Sequence, residues 1–286
     1  MKELTVYEKK VLNDTKKFFL KEVHSKKETK INKFLSNVPF DFKDKFIVKE
    51  TITQLWKFLF DCGEFITSEK KVLRKANVYS IDQIKFFELE KCDELNRKLQ
   101  IGQQTMHFSH GAITGVFGFP GIFVDIATGP SLKNKSLLEQ GMSYGFNKIE
   151  TQLNYTFALL QQNTNSVKDK AIIYHFMKKT QREILNKATT EGIENITEII
   201  IQAFCKNEKL ATYLISLAEE MGIKLSSKIV GKFIPIIGAA VGGVISLKDF
   251  NNFRDYSQNQ LRLAWLQRNG RITESEYENI LLGNLT

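Results

Sequence analysis

The chain contains 286 residues, is 42% hydrophobic and 26% charged, and carries a formal net charge of +9 at pH 7. This composition is ordinary for a globular protein and excludes a largely disordered chain. With only four prolines and no regularly spaced turn residues to separate short strands, the sequence predicts an all-helical fold.

The cysteines and the N-terminal residues both indicate a cytosolic protein. The cysteines are far apart and lie in helical patterns, which predicts buried thiols rather than disulfides. They are Cys62, Cys92 and Cys205. The N-terminal stretch MKELTVYEKK is charged throughout and lacks the apolar segment of a signal peptide. We therefore expect a cytoplasmic protein, located at the inner face of the membrane if it binds one.

Residues 3–35 are predicted to form one long amphipathic helix or two abutting helices, because apolar side chains recur at helical spacing. Several lysines lie mostly off this apolar stripe. They are Lys9, Lys10, Lys16, Lys17 and Lys21. This basic face has two interpretations, a solvated surface and a surface that contacts anionic lipid. Basic residues are spread along the whole chain, which argues against nucleic acid as the partner.

Two further helices are predicted before residue 101. Residues 46–67 are rich enough in Ile, Leu, Trp and Phe for a well-buried helix, and Gly63 is expected to mark its end or a kink. Ser80 is predicted to cap a helix over residues 81–100, because Gln83 lies at the spacing of a capping box.

Two apolar, glycine-rich segments follow, at residues 107–130 and 228–250. Between Lys98 and Asp125 there are 26 uncharged residues, more than the ~20 that a transmembrane helix needs. Glutamines, histidines and a proline argue against a simple span, so we predict two helical hairpins instead. Small residues four apart let helix backbones approach closely in such hairpins. These pairs are Gly111 with Gly115, Gly238 with Gly242, and Ala239 with Gly243.

The rest of the chain is predicted to be helical as well. Helices are expected at 148–162, 167–189, 195–205 and 207–221, followed by an amphipathic helix, a turn at Asn269-Gly270 and a short terminal helix. The predicted architecture is an all-α, multi-helix bundle, essentially one domain, with the two glycine-rich apolar hairpins in its core. Its expected parts are an N-terminal amphipathic region at 1–79, a helical domain at 80–268 and a C-terminal helix at 269–286.

The sequence favours no catalytic site and no cofactor. His107 and His110 would share a helix face, and with Asp125 they could supply three ligands of an open metal site. However, the usual spacing with a glutamate base is absent. Asp125 is interpreted first as a cap of the helix that starts near Ser131, and second as a ligand or proton-handling group. The glycine run lacks the Gly-Lys-[Ser/Thr] ending of a phosphate-binding loop.

Three stretches of the sequence together resemble the EcsC family. GAITGVFGFPGIFVDIATGPSLKNKSLLEQGMSYGFN has the family's glycine run, its acid and its helix that ends in Tyr-Gly-[Phe/Tyr]. KFIPIIGAAVGG resembles the family's I-P-x-x-G-A-x-x-G segment, which precedes a helix with an Ala and basic residues. LEKCDELNRKL is similar to its L-x-x-x-D-x-x-x-x-x-L helix. The matching residues are Asp93, Gly111, Thr114, Gly115, Gly118, Gly121, Asp125, Tyr144, Gly145, Pro235, Gly238, Ala239 and Gly242.

The resemblance covers residues 85–268 and implies no catalytic residue, because the family has no settled biochemical activity. The family takes its name from a gene beside those of an ABC transporter, so its genomic setting suggests transport or secretion. The two apolar, glycine-rich segments and the positive charge together predict a non-enzymatic protein at the cytosolic face, bound to anionic lipid or to a membrane complex. Two alternatives stay open: a soluble helical interaction module with buried hairpins, and a metal-dependent enzyme using His107, His110 and Asp125.

Overall fold

The part of the chain that the structure, a computed structural model, describes is entirely helical or irregular. Within it no strand occurs, which confirms the all-α prediction. The glycine-rich hairpins predicted for the core lie outside the described residues. These are 2–24, 49, 53, 62–100, 135–162, 164, 166–191, 198, 202, 206, 211 and 247–284.

The helices largely follow the predicted order. Helices α6 and α7 match the predictions at 148–162 and 167–189, and the turn at Asn269-Gly270 and the terminal helix are confirmed. The described helices are α1 Val6–His24, α2 Cys62–Ala76, α3 Ile81–Ile84, α4 89–100, α5 135–143, α6 Lys148–Gln162, α7 Val167–Glu191, α8 Leu247–Arg268 and α9 Glu274–Leu281.

Helix α1 is amphipathic, as predicted. Its buried side contains Val11, Leu12 and Phe19, while four of the five lysines, all but the half-buried Lys16, are exposed. The lysines therefore do lie on the side of α1 that faces away from its packing partners. The predicted extension of this helix to residue 35 lies outside the described residues.

The prediction of one capped helix over residues 81–100 is wrong. The Ser80 side chain makes no capping hydrogen bond, and the Gln83 Oε1 accepts from the Tyr79 N–H at 2.7 Å instead. Helix α3 is a single turn, and α4 begins only at residue 89. On one continuous helix Ile84 and Leu89 would point about 140° apart, whereas the break lets both be buried. Tertiary packing thus overrides the local helical pattern.

The helix end predicted at Gly63 is also wrong. Helix α2 includes Gly63 and continues to Ala76, which excludes a helix end at Gly63, while the alternative of a kink stays a prediction.

The chain divides into two compact units, each made of segments distant in sequence. The first comprises 1–25, 60–158 and 252–286, and the second 26–59 and 159–251. The domain boundaries expected from the sequence stay a prediction.

In the first unit a cluster of buried apolar side chains connects helices α2, α3, α4 and α5. Burial of this apolar surface stabilises the fold by about 25 cal/mol per Å². The members of this core cluster are Val72, Ile81, Ile84, Leu95, Leu99, Leu138 and Met142.

The first unit also contains α1, residues 148–158 of α6, α8 from residue 252 onward, and α9. The ring of Phe19 in α1 meets that of Tyr256 in α8 edge to face, with 5.3 Å between centroids. Thr15 Oγ1 donates to Asn259 Oδ1 at 3.1 Å, and α1 also packs against α9. The N-terminal helix is therefore held by the C-terminal helices, and this contact positions the polar site described next.

Candidate functional site

A buried carboxylate, Asp93 of α4, is the centre of a polar cluster in the first unit. Its Oδ2 accepts a hydrogen bond from the Tyr7 hydroxyl at 2.7 Å, and its Oδ1 accepts from the Arg262 Nε at 2.9 Å. Oδ1 also accepts from the Tyr144 hydroxyl. We call Tyr7, Asp93, Tyr144 and Arg262 the Asp93 cluster.

Burial explains why Asp93 needs several donors. The residue is only 8% exposed, and a carboxylate out of water is costly unless charged and polar partners replace its hydration. The partners come from α1, from the turn after α5 and from α8. One side chain therefore joins elements from the beginning, middle and end of the chain.

The two phenols of the cluster are held in their protonated form. Burial, followed by the charge of Asp93, raises the pKa of Tyr144 well above its ordinary value. Burial and the hydrogen bond to Asp93 likewise raise the pKa of Tyr7. The Gln258 Nε2 donates to the Tyr144 hydroxyl oxygen at 3.3 Å. Neutral phenols donate hydrogen bonds to the Asp93 carboxylate, and these bonds stabilise the fold.

Arg262 supplies the charge that balances Asp93. Burial by itself lowers the pKa of this guanidinium, but the interactions with Tyr144 and Asp93 outweigh burial, and the pKa is raised above its ordinary value. The guanidinium therefore stays charged and forms a charge-assisted hydrogen bond with the carboxylate.

A second arginine of α8, Arg268, contacts the turn Tyr144-Gly145-Phe146. Arg268 donates to the carbonyl oxygens of Tyr144 at 2.6 Å and of Gly145 at 3.1 Å. Its guanidinium carbon lies 4.4 Å from the centre of the Phe146 ring, a cation–π geometry. Helix α5 thus ends in a turn that is fixed through both its backbone and its side chains.

Gly145 meets two requirements at once. Its φ of +73° lies in the left-handed region, which L side chains rarely adopt. A Cβ at this position would also lie 2.6 Å from the Lys85 backbone nitrogen. The second residue after α5 must therefore be glycine for the turn to pack against the end of α3.

The described parts of the family-like stretches therefore meet at one place: the acid of α4, the Tyr-Gly-Phe turn and the basic helix α8. A model of the EcsC protein family matches residues 1–266. The chain belongs to the EcsC protein family. No curated protein and no solved structure gave a significant match. The match begins at the N-terminus, so it includes α1, which the resemblance seen in the sequence did not cover.

Several residues of this EcsC site were missed at the sequence level. Asp93, Tyr144 and Gly145 were named from the family pattern, but Tyr7, Arg262 and their pairing with Asp93 were not. A usable signal was present, since Arg262 is the one charge within the apolar run LRLAWL. A buried acid next to an apolar stripe requires a cation or several donors, and this arginine was a suitable candidate.

Cys92, next to Asp93, is a free and buried thiol, as predicted. Burial raises its pKa to about 12. Because the thiolate is the reactive form, this cysteine is chemically inert at neutral pH. The side chains of Cys62 and Cys205 lie outside the described part.

The remaining predicted site residues also lie outside the described residues. These are His107, His110, Gly111, Thr114, Gly115, Gly118, Gly121, Asp125, Pro235, Gly238, Ala239 and Gly242. Among the side chains that the structure describes, no group of three His, Cys, Asp or Glu residues is arranged to hold a metal ion. None of the described helices is both long and apolar enough to cross a bilayer.

Proposed function

We propose that this EcsC protein is a non-enzymatic, peripheral membrane protein that binds an anionic bilayer surface through the outer face of α1. The observation that carries the proposal is a row of exposed lysines, Lys10, Lys17 and Lys21. At spacings of seven and four residues they lie within about 40° of one another around the helix and span roughly 16 Å along it.

The composition of this face favours an anionic partner. Lys9 is also exposed on α1, and Asp14 is the only acid among the exposed residues of that helix. Each lysine close to an anionic membrane surface contributes about 1 kcal/mol of binding. The opposite side of α1 is packed against the protein, so the basic face is presented without unfolding.

The Asp93 cluster supports a non-enzymatic function. Its carboxylate oxygens are occupied by three donors, and its phenols are protonated. The proposed location is the cytosolic face of the membrane, where anionic lipid is the first partner and a transport or secretion complex is a further one. The alternative, a soluble helical interaction module, would apply if the protein binds no lipid surface.

The test is flotation of the purified full-length protein with vesicles of phosphatidylglycerol or of phosphatidylcholine, at low and high salt. We expect flotation with the anionic vesicles alone and a large decrease in flotation at high salt. Replacing the three lysines together, Lys10→Gln, Lys17→Gln and Lys21→Gln, should weaken binding by up to about 3 kcal/mol, or roughly 150-fold.

A charge-matched control is available on α7. The variant Lys168→Gln, Lys179→Gln and Arg182→Gln removes the same charge from exposed positions of another helix, and it should float nearly as well as the unmodified protein. A protein that never floats would refute the proposal. Equal losses in both triple variants would show that overall charge, and not the face of α1, attracts the vesicles.

A further inference from the structure

Exposed aromatic side chains mark a second surface in the first unit. Within the described residues, large apolar side chains are strongly exposed at few positions: Val6 at 87%, Tyr79 at 95%, Phe86 at 88% and Val167 at 39%. Two of these flank the single turn α3. We call residues 77–86 the α3 loop. Exposing two aromatic rings in one short loop costs hydration free energy, so a partner for them is expected.

The α3 loop is anchored firmly at both ends of its short helix. Ile81 and Ile84 are buried in the core cluster, and the exposed rings stand on either side of them. The loop therefore cannot turn its aromatic residues inward without withdrawing its isoleucines from the core. The exposure of Tyr79 and Phe86 is a fixed property of this packing.

The start of the loop is fixed by hydrogen bonds as well. Asn77 has a φ of +55°, its N–H donates to the Arg74 carbonyl at 3.4 Å, and the Val78 N–H donates to the Leu73 carbonyl at 3.1 Å. This is the Schellman pattern that ends helices. It directs the chain out of α2 directly before Tyr79, whose own N–H is held by Gln83.

The charges next to the loop favour an anionic partner. Between residues 70 and 81 the chain contains four basic residues and no acid, and Lys70, Arg74 and Lys75 are exposed. The first acid, Asp82, forms an ion pair with the Lys85 ammonium at 2.7 Å. An aromatic pair beside unpaired positive charge matches the chemistry of a lipid headgroup layer, where amphipathic rings accumulate and phosphates attract lysine and arginine.

We infer that the α3 loop inserts Tyr79 and Phe86 into the headgroup region of an anionic bilayer while Arg74 and Lys75 contact lipid phosphates. This inference rests on the proposed membrane binding and adds to it the residues that enter the bilayer. The lysines of α1 attract the protein over a distance, and the two rings supply a contact that salt screens only weakly.

Tryptophan fluorescence tests insertion directly. In the full-length Phe86→Trp variant, bound to phosphatidylglycerol vesicles, we expect a blue-shifted emission and quenching by lipids brominated near the top of the acyl chain. The Asn279→Trp variant, at an exposed position of α9, is the matched control and should show neither change. Equal behaviour of the two variants would overturn the inference.

Flotation separates this inference from the proposed function. The double variant Tyr79→Ser, Phe86→Ser changes exposed side chains only, and an unchanged circular dichroism spectrum would confirm that it folds. Its partitioning onto anionic vesicles should fall roughly 10- to 100-fold. If the unmodified protein floats and the double variant floats equally well, the α3 loop does not insert and its rings serve a protein contact, although the proposed function stands. If the unmodified protein does not float, both fail.

Discussion

At the residue scale, each residue of the turn Tyr144-Gly145-Phe146 meets a different physical requirement of the fold. The tyrosine hydroxyl donates to Asp93, the glycine provides a positive φ and leaves room for the backbone of α3, and the phenylalanine ring lies under Arg268. Each of the three residues is needed for a different contact. A substitution at one of them should therefore affect stability through a separate mechanism.

The glycine offers the sharpest test at this scale. Gly145→Ala should lower the free energy of unfolding by about 3 kcal/mol, because the positive φ costs an L-residue 1–2 kcal/mol and the new Cβ adds a clash with rigid backbone. Gly270→Ala is the matched control, since its φ is +68° but nothing lies within 4 Å of the added Cβ. It should cost only about 1 kcal/mol. Urea unfolding measures both, and equal losses would show that the approach to Lys85 is unimportant.

Only some residues of the site could be predicted from the sequence. The acid, tyrosine and glycine of the site were found because the family pattern marks them locally. Their partners were not, because Tyr7 and Arg262 lie 86 and 169 positions from Asp93. Helical periodicity predicts which face of a helix is buried, but it does not predict which distant helix packs on that face.

At the element scale, helix starts show the same contrast between local and tertiary control. Several helices begin with reciprocal hydrogen bonds between an N-cap side chain and a glutamate three residues later, with distances of 2.8–3.1 Å. The predicted Ser80 and Gln83 pair does not form, because the packing of α3 sends Gln83 to the Tyr79 N–H. The pairs that do form are Thr5 with Glu8, Asn147 with Glu150, and Thr273 with Glu276.

The cap of α9 can be tested in isolation because it is exposed. Thr273→Ala removes the hydroxyl that accepts from the Glu276 N–H at 3.1 Å and should lower the free energy of unfolding by about 1 kcal/mol. Ser275→Ala, an exposed change within the same helix, should be neutral or slightly stabilising. Thermal unfolding of both variants would decide the matter, and a harmless Thr273→Ala would mean that packing on α1 alone holds α9.

Helices could be predicted from the sequence where amphipathic periodicity was followed by a clear helix-ending signal. Helices α6 and α7 have both, separated by a short polar connection, and the sequence placed them closely. The region of α3 and α4 carries helical periodicity throughout, and nothing local marks its break. The break follows from burying Ile84 and Leu89 together, which only the assembled core requires.

At the scale of the whole molecule, buried charged side chains connect segments that are distant in sequence. Besides the Asp93 cluster, Arg271 approaches Glu8 of α1 at 3.1 Å and donates to the Glu3 carbonyl at 2.6 Å. Both arrangements hold the N-terminal segment against the C-terminal helices of the first unit. We therefore assign the interior polar groups to the fold, and we propose that the function lies on the outer surfaces, the basic face of α1 and the α3 loop.

A double-mutant cycle between Asp93 and Arg262 measures whether the Asp93 cluster is a structural link between distant segments of the chain. Asp93→Asn and Arg262→Gln should each lower the free energy of unfolding by about 3 kcal/mol, because each leaves the other charge without its partner. The double variant should lose at least about 1 kcal/mol less than the sum of the single losses. Losses that add within about 0.5 kcal/mol would contradict this structural role, since they would mean that the two side chains stabilise the protein independently.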